Sequence, residues 1–354
     1  RVPRYRQKLK WIPVWNQPVW VDDRQFNLDY HIRHTSLPRP GTDQQLKNLA
    51  ARVMSQQLDR ERPMWETWVV EGLANDRFAV ITKIHHCMID GASGVDLSYI
   101  LMSTNPEFTP SEDVPGFIPR PEPSSMQLLR DESLRRATLP LEAVRGIQNF
   151  IGQAQDVQEE LRIRLTALGE LLGASLRPAS ATPINGDLGP HRRFDWFTMP
   201  LEDVRAARRK LDCTLNDVVL AVVAGAFRDF LSRRQVDPAS LDFRISAPVS
   251  VRKEEDRGKM GNHVSSWIVP LPLGESDPIE RVRLIHQRTQ ELKESRQALG
   301  VEMIMGAADF AGTMLLSLGA RATSGPINTI VTNVPGPQVP LYMLGAKLEA
   351  MYPQ

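Results

Sequence analysis

Cysteine is almost missing from this chain. Cys87 and Cys213 are the only two, too few for a disulfide framework or a thiolate metal cage, so a reducing, cytosolic setting is the default expectation. An excess of either charge is also missing: 43 lysines and arginines face 42 acids, a formal charge of +1. That balance argues against a dedicated nucleic-acid binder, whose affinity comes from neutralising phosphates. No run approaches the roughly 18 uninterrupted apolar residues a membrane-spanning helix needs. No basic-then-apolar signal segment opens the chain either. What remains is a protein that is soluble or rests on a membrane surface. Hydrophobic residues make up 42% and charged residues 24% of 354 residues, an ordinary folded composition long enough for two domains or one large one. The chain opens on Arg1 and closes on Met351, Tyr352, Pro353 and Gln354 directly after a strand-like stretch, so both ends read as cut.

Hydrophobic periodicity predicts an amphipathic helix from Thr42 to Leu58, capped by Thr42. Two strands, Glu66–Glu71 and Arg77–Ile84, follow as a hairpin around Gly72 to Asp76. A helical stretch is expected near Gly94–Met102. Six prolines between residues 104 and 123 then predict a surface loop or crossover. Residues 124–176 read as helical, with a break at Pro140. The Pro- and Gly-punctuated segment 177–193 is the expected boundary between an N-terminal domain, 1–180, and a C-terminal domain, 181–354. The second half predicts helices at Leu201–Leu211, Asn216–Leu231, Pro278–Leu299 and Val301–Leu318. Its expected strands are Phe243–Val249, Val264–Leu271 and Ile327–Thr332. The expected class is α/β (α+β), each half a mixed sheet with covering helices.

The stretch Ile84-His85-His86-Cys87-Met88-Ile89-Asp90-Gly91 puts two imidazoles at a strand end beside an acid and a glycine. Strand alternation sends the two rings apart and puts His86 on the face of Ile84, Thr82, Val80 and Phe78. Desolvation there favours the neutral ring that a general base needs. Asp90 is placed to orient the ring or hold the loop, and Gly91 to let the backbone turn. Two packed histidines at the end of a core strand fit the spacing as well. A metal site from His85, His86 and Asp90 fits it less well, because adjacent rings that diverge chelate poorly. Cys87 reads as a small buried hydrophobe, since His86 faces the other way.

His85-His86-Cys87-Met88-Ile89-Asp90-Gly91 resembles the HHxxxDG signature of the coenzyme A-dependent acyltransferase superfamily, which includes chloramphenicol acetyltransferase and the condensation domains of nonribosomal peptide synthesis. Arg62-Pro63-Met64-Trp65-Glu66 resembles the PLWE block of the bacterial wax ester synthase/diacylglycerol acyltransferase family, with Met64 in place of leucine. Five later stretches resemble that family's further blocks, in order: Pro183 to Gly186, Gly189 to Arg193, Leu215 to Val218, Gly261-Asn262, and Thr332 to Pro337. The likeness spans nearly the whole chain and is strongest to mycobacterial-type triacylglycerol synthases.

The resemblance implies two chloramphenicol-acetyltransferase-like sub-domains with an active-site channel between them. It implies transfer of a long-chain fatty acyl group from acyl-coenzyme A, a co-substrate, to the hydroxyl of diacylglycerol or a long-chain alcohol. No metal or other cofactor is expected. His86 would take the hydroxyl proton, with His85, Asp90 and Gly91 shaping the catalytic loop. Asn216, Asp217, Thr332 and Asn333 become substrate-binding candidates, with Asn216 and Thr332 also as oxyanion donors. At Asn216 and Asp217 a plain helix N-cap remains open, as does a rigid strand exit at Thr332 and Asn333. A cytoplasmic enzyme held at a membrane or lipid-droplet surface is expected. Arg1, Arg4, Arg6, Lys8 and Lys10 are candidate contacts for anionic lipid or coenzyme A phosphates, and Ile304 to Leu318 is a core or interfacial helix. A condensation-type, amide-forming domain and a silent lipid-binding paralogue are the rival readings.

Overall fold

A computed structural model describes residues 2–88, 98–107, 116–138, 178–250, 264–294 and 327–353. The chain packs as two compact units. Among the described residues, the first unit takes 2–88, 98–107, 116–138, 188–197 and 334–353, and the second takes 178–187, 198–250, 264–294 and 327–333. Residues 188–197 and 334–353, which lie beyond the division expected near residue 180, therefore pack with the first unit.

The first unit opens on a hairpin that sequence reasoning passed over. Strands β1 (Gln7–Ile12) and β2 (Gln17–Asp22) pair antiparallel from Gln7↔Asp22 to Ile12↔Gln17. A separate three-stranded sheet has the order β3 (Ile32–Ser36), β4 (Trp65–Leu73), β5 (Arg77–Ile84). β3 and β4 run parallel, and β4 and β5 form the expected hairpin.

Helix α1 (Asp43–Ser55) connects β3 to β4. Its start is fixed by a reciprocal capping box. The Gln45 N–H donates to Thr42 Oγ1 at 3.3 Å, and the Thr42 N–H donates to Gln45 Oε1 at 2.7 Å, which satisfies donors a helix N-terminus otherwise leaves open. Leu49, Ala50 and Val53 on one face pack with Leu37, Val70 and Ile81. At the other end the Lys83 ammonium of β5 donates to the carbonyls of Val53 (2.9 Å) and Gln56. Burial lowers its pKa, while Glu66, 3.6 Å away, opposes the shift. Gly41 and Gly72, both at positive φ, allow a close backbone approach: a Cβ on Gly41 would lie 2.0 Å from Gly72 O.

The second unit is built on β6 (Arg244–Ser250). It pairs antiparallel with β7 (Val264–Pro270) and parallel with β8 (Thr329–Ile330). Its helices are α2 (Leu201–Leu211), α3 (Leu215–Ser232) and α4 (Pro278–Glu294). Leu220, Ala224 and Leu231 of α3, Phe243, Ile245 and Val269 from the sheet region, and Ile285 of α4 form one core. Each unit thus holds a mixed sheet whose central strand has one parallel and one antiparallel neighbour.

The strand expected over Ile327–Thr332 pairs only at Thr329–Ile330. One further backbone bond lies on each side, from Asn328 N to Arg244 O and from Val331 N to Ser246 O. Of the helix expected at 124–176, residues 125–138 are described and helical. Its remainder, and the helix expected at Val301–Leu318 with its interfacial candidate Ile304 to Leu318, lie outside the described residues. Among the described residues no helix is long and apolar enough to cross a membrane.

Candidate functional site

The histidine loop begins where the β4–β5 ladder ends. Trp65 pairs with Ile84, the His85 N–H donates to Met64 O at 2.9 Å, and the chain then turns into a 3-10 segment, His86–Met88, closed by Met88 N to His85 O at 2.9 Å. Strand alternation stops at Ile84, so His86 does not share the apolar face expected for it, and both imidazoles are exposed. The two differ in their commitments. His85 Nδ1 accepts the Cys87 N–H at 3.3 Å and lies 3.1 Å from Cys87 Sγ, which puts the ring proton of neutral His85 on Nε2. His86 makes no hydrogen bond among the described residues.

Cys87, expected to be buried, is exposed and partnered by His85. The 3-10 turn replaces the alternation that was to separate it from a histidine. Burial of its sulfur pushes the thiol up, with its own backbone N–H and the Arg4 guanidinium opposing, so the group stays a protonated thiol at neutral pH. Asp90 and Gly91 lie outside the described residues, as do Gly261 and Asn262.

The block Pro63-Met64-Trp65-Glu66 supports this loop from behind. Met64 is 1% exposed. The Trp65 ring stacks on His31 at 4.6 Å and 15°, and its Nε1–H donates to Tyr5 O at 2.8 Å. His31, not singled out in the sequence, is buried with Nδ1 2.7 Å from Trp65 O, and burial lowers its pKa. A recess of about 170 Å³ opens beside the same strand, lined by Tyr30, Arg33, Asp59, Trp65 and Glu66 among others. Its polar lining suits a hydrophilic group rather than an acyl chain.

The remaining described candidates lie in the second unit. Asn216 is half-buried in the first turn of α3. Asp217 is 0% exposed and closes a second capping box: Thr214 N donates to Oδ2 at 2.9 Å, and the Asp217 N–H to Thr214 Oγ1 at 3.2 Å. Two α4 side chains add to it, His286 Nδ1 to Oδ2 and Thr289 Oγ1 to Oδ1, both at 2.7 Å. Burial alone raises this carboxyl. The bonds from His286, the Thr214 backbone and Thr289 outweigh it, and the net result lies below the usual carboxylate value. Neither Asn216 nor Asp217 is the N-cap: Thr214 is, and Asp217 is the third helical residue, which closes the capping box.

Thr332 and Asn333 are exposed immediately after β8. Their anchor is a pair of residues that sequence reasoning left aside or read only as part of a block. Asn185 Nδ2 donates to Asn328 O at 2.9 Å, and Asn328 Nδ2 returns a bond to Asn185 Oδ1 at 2.8 Å. Asn328 also takes the Arg244 N–H at 2.9 Å and donates to Ser180 O at 2.7 Å. The segment around Pro183 to Gly186 therefore fixes where β8 starts. Gly189 to Arg193 works in the first unit, where Arg192 N donates to Ser55 Oγ at 2.8 Å and Phe194 packs on the core.

Among the described residues no group of three His, Cys, Asp or Glu side chains is placed to hold a metal ion. Set against known proteins, residues 1–219 match the wax ester synthase/diacylglycerol acyltransferase catalytic domain, and residues 260–354 match the C-terminal domain of the same family. The chain is 32% identical over 359 residues to the "probable diacyglycerol O-acyltransferase tgs1" of Mycobacterium tuberculosis, covering 99% of this chain and 74% of that one. A second M. tuberculosis relative with a diacyglycerol O-acyltransferase name is 31% identical over 365 residues, covering 99% and 70%. The solved wax ester synthase/diacylglycerol acyltransferase of Marinobacter aquaeolei superposes with a TM-score of 0.63 at 28% identity, covering 98% of this chain and 72% of that one.

Proposed function

Because the chain belongs to the wax ester synthase/diacylglycerol acyltransferase family, we propose that His86 is the general base of its acyl transfer. The activity moves a fatty acyl group from acyl-coenzyme A to the hydroxyl of diacylglycerol, giving triacylglycerol, or of a long-chain alcohol, giving a wax ester. A thioester is already activated and its thiolate leaves readily, so no covalent enzyme nucleophile is needed. What the protein must supply is a site for the proton of a weakly acidic alcohol. His86 removes that proton as the alcohol oxygen attacks the thioester carbon. The tetrahedral oxyanion then collapses, the C–S bond breaks, and the imidazolium returns the proton to the departing sulfur. The ester and free coenzyme A result.

The observation that carries this assignment is the asymmetry of the two rings. His85 Nδ1 is occupied by its own loop at Cys87, whereas His86 is exposed and makes no hydrogen bond among the described residues. His85 is a positioning residue that shapes the turn, and Asp90 and Gly91 are carried with it from the family signature. Asn216 and Thr332 are proposed as substrate-positioning or oxyanion donors. Asn333 is proposed as a substrate contact, and Asp217 as the anchor that holds Asn216 in place. The enzyme is proposed to work in the cytoplasm at a membrane or lipid-droplet surface, where its acceptors dissolve.

Radiolabelled palmitoyl-coenzyme A offered with both diacylglycerol and hexadecanol tests the reading. Labelled triacylglycerol or wax ester with matching thiol release is the expected outcome. Absence of both esters, with the protein folded, would overturn it.

A further inference from the structure

The β1–β2 hairpin ends in a turn whose side chains no folding argument explains. Trp11, Val14 and Trp15 are 49, 86 and 37% exposed, and Pro13 beside them is exposed too. Only Ile12 of this apolar run is buried. Val14 sits at φ 69°, a left-handed conformation that a β-branched residue adopts at a cost and that glycine or asparagine would take more easily. A bulky apolar group thus sits at a position where turn chemistry disfavours it.

The base of the hairpin is clamped, which makes its tip a defined feature. Lys10 pairs with Glu122 at 2.7 Å and Asp22 with Arg120 at 2.8 Å. The Arg136 guanidinium lies 4.0 Å from the Trp15 ring centre and is itself paired with Glu132 at 2.7 Å. No acid lies between Trp11 and Gln17, and each acid just named is matched by a cation. Lys8 and Arg24, on and beside the hairpin, form no salt bridge among the described residues; both share the field of Glu122, whose close partner is Lys10.

We propose that this hairpin tip is the element by which the protein docks on an anionic lipid surface, Trp11, Val14 and Trp15 entering the headgroup layer. Tryptophan favours that layer, because its ring is apolar while its N–H still finds polar partners. Lys8, Lys10 and Arg24, set back from the tip, face the single acid Glu122, and the excess of cations adds attraction to anionic lipid. A convex, narrow turn tipped with three apolar side chains fits a deformable lipid surface better than the flatter patch that another protein would cover. The choice of a lipid rests on the acyl-transfer reading above, whose acceptors are membrane-dissolved. The docking itself is measured without any turnover.

Full-length protein is sedimented with vesicles of phosphatidylglycerol and phosphatidylcholine, and with vesicles of phosphatidylcholine alone. The variant Val14→Asp is compared with W11S/V14D/W15S. Aspartate tolerates the left-handed backbone better than valine, so Val14→Asp keeps the fold while placing a charge at the tip. Expected results are binding to anionic vesicles, weaker binding to phosphatidylcholine, at least a tenfold loss in Val14→Asp and a larger loss in the triple variant. Transfer to diacylglycerol dispersed in detergent stays unchanged in Val14→Asp. Wild-type protein that ignores vesicles would overturn the proposal, as would variants that bind equally well. So would a tip that proves to be a protein contact, with wild type self-associating and Val14→Asp monomeric without any effect on vesicles. Vesicle binding without ester formation would sink the acyl-transfer reading and leave the docking intact.

Discussion

The histidine loop of the first unit and the Asp217 cluster of the second are both short polar stretches in family blocks, yet they are built in opposite ways. Asp217 is 0% exposed and its oxygens take bonds from Thr214 N, His286 and Thr289. His86 stands exposed beyond the end of its strand without a hydrogen bond among the described residues. A buried carboxylate with its lone pairs occupied by its own chain is an architectural device, since each new contact would have to displace an existing one. An imidazole meant to move a proton needs a free nitrogen. Commitment, more than residue type, separates the anchor from the proposed base.

The sharpest way to break this contrast is to delete each group and ask which property falls. His86→Ala should cost about 10²- to 10⁴-fold in kcat/KM with an unchanged melting temperature, because His86 makes no hydrogen bond among the described residues. Steady-state thiol release beside a thermal melt reads both. Equal losses in His85→Ala and His86→Ala would erase the distinction drawn between the rings.

Asp217→Ala should do the reverse. It strips partners from His286, Thr289 and the N-terminus of α3, at a cost of about 3 kcal/mol of stability, seen as a lower denaturation midpoint. The rate per folded molecule should change much less. An unaltered midpoint would mean that the cluster is not an anchor.

Acid separates the units a second way. Burial holds His31 below the ordinary histidine value. Its contribution to the first unit is therefore complete above that value and is lost as pH falls from there through the lower folded value. Asp217 is also depressed, so its contribution to the second unit is present above the ordinary carboxylate value and lost only as pH falls through the lower folded one. Hydrogen exchange resolved by segment should show residues 32–84 loosening at a higher pH than residues 215–232 and 278–294. The opposite order would contradict the assignment. The smallest effect is expected at Thr42→Ala, which removes one exposed cap for about 1 kcal/mol and should register in α1 exchange alone.

Much of this was legible in the amino acids, because the governing contacts are local. Thr42 and Gln45 sit three residues apart and announce α1. The turn around Asn75 and Asp76, both at positive φ, announces the β4–β5 hairpin. Legibility stopped where distant groups decide. Strand alternation carried past Ile84 predicts an apolar face for His86, but the bond from His85 N to Met64 O closes the ladder and the chain coils. The same alternation predicts a buried Cys87, which is exposed. Asn185 and Asn328 bond reciprocally across 143 residues, a pairing no window of sequence displays. His286 and Thr289 look like ordinary helix residues until Asp217 is brought to them. The alternation of Lys8 and Lys10 with Leu9 and Trp11 carries a local signal for β1.

The central claim, that an uncommitted imidazole at residue 86 moves the proton, is tested most directly by His86→Gln. The amide keeps the size and polarity of the side chain but cannot act as a base. Single-turnover thiol release from palmitoyl-coenzyme A with diacylglycerol should slow by about 100-fold or more, with bound acyl-coenzyme A and the melting temperature unchanged. A rate within about threefold of the native enzyme's, well short of the loss expected for a deleted base, would contradict it.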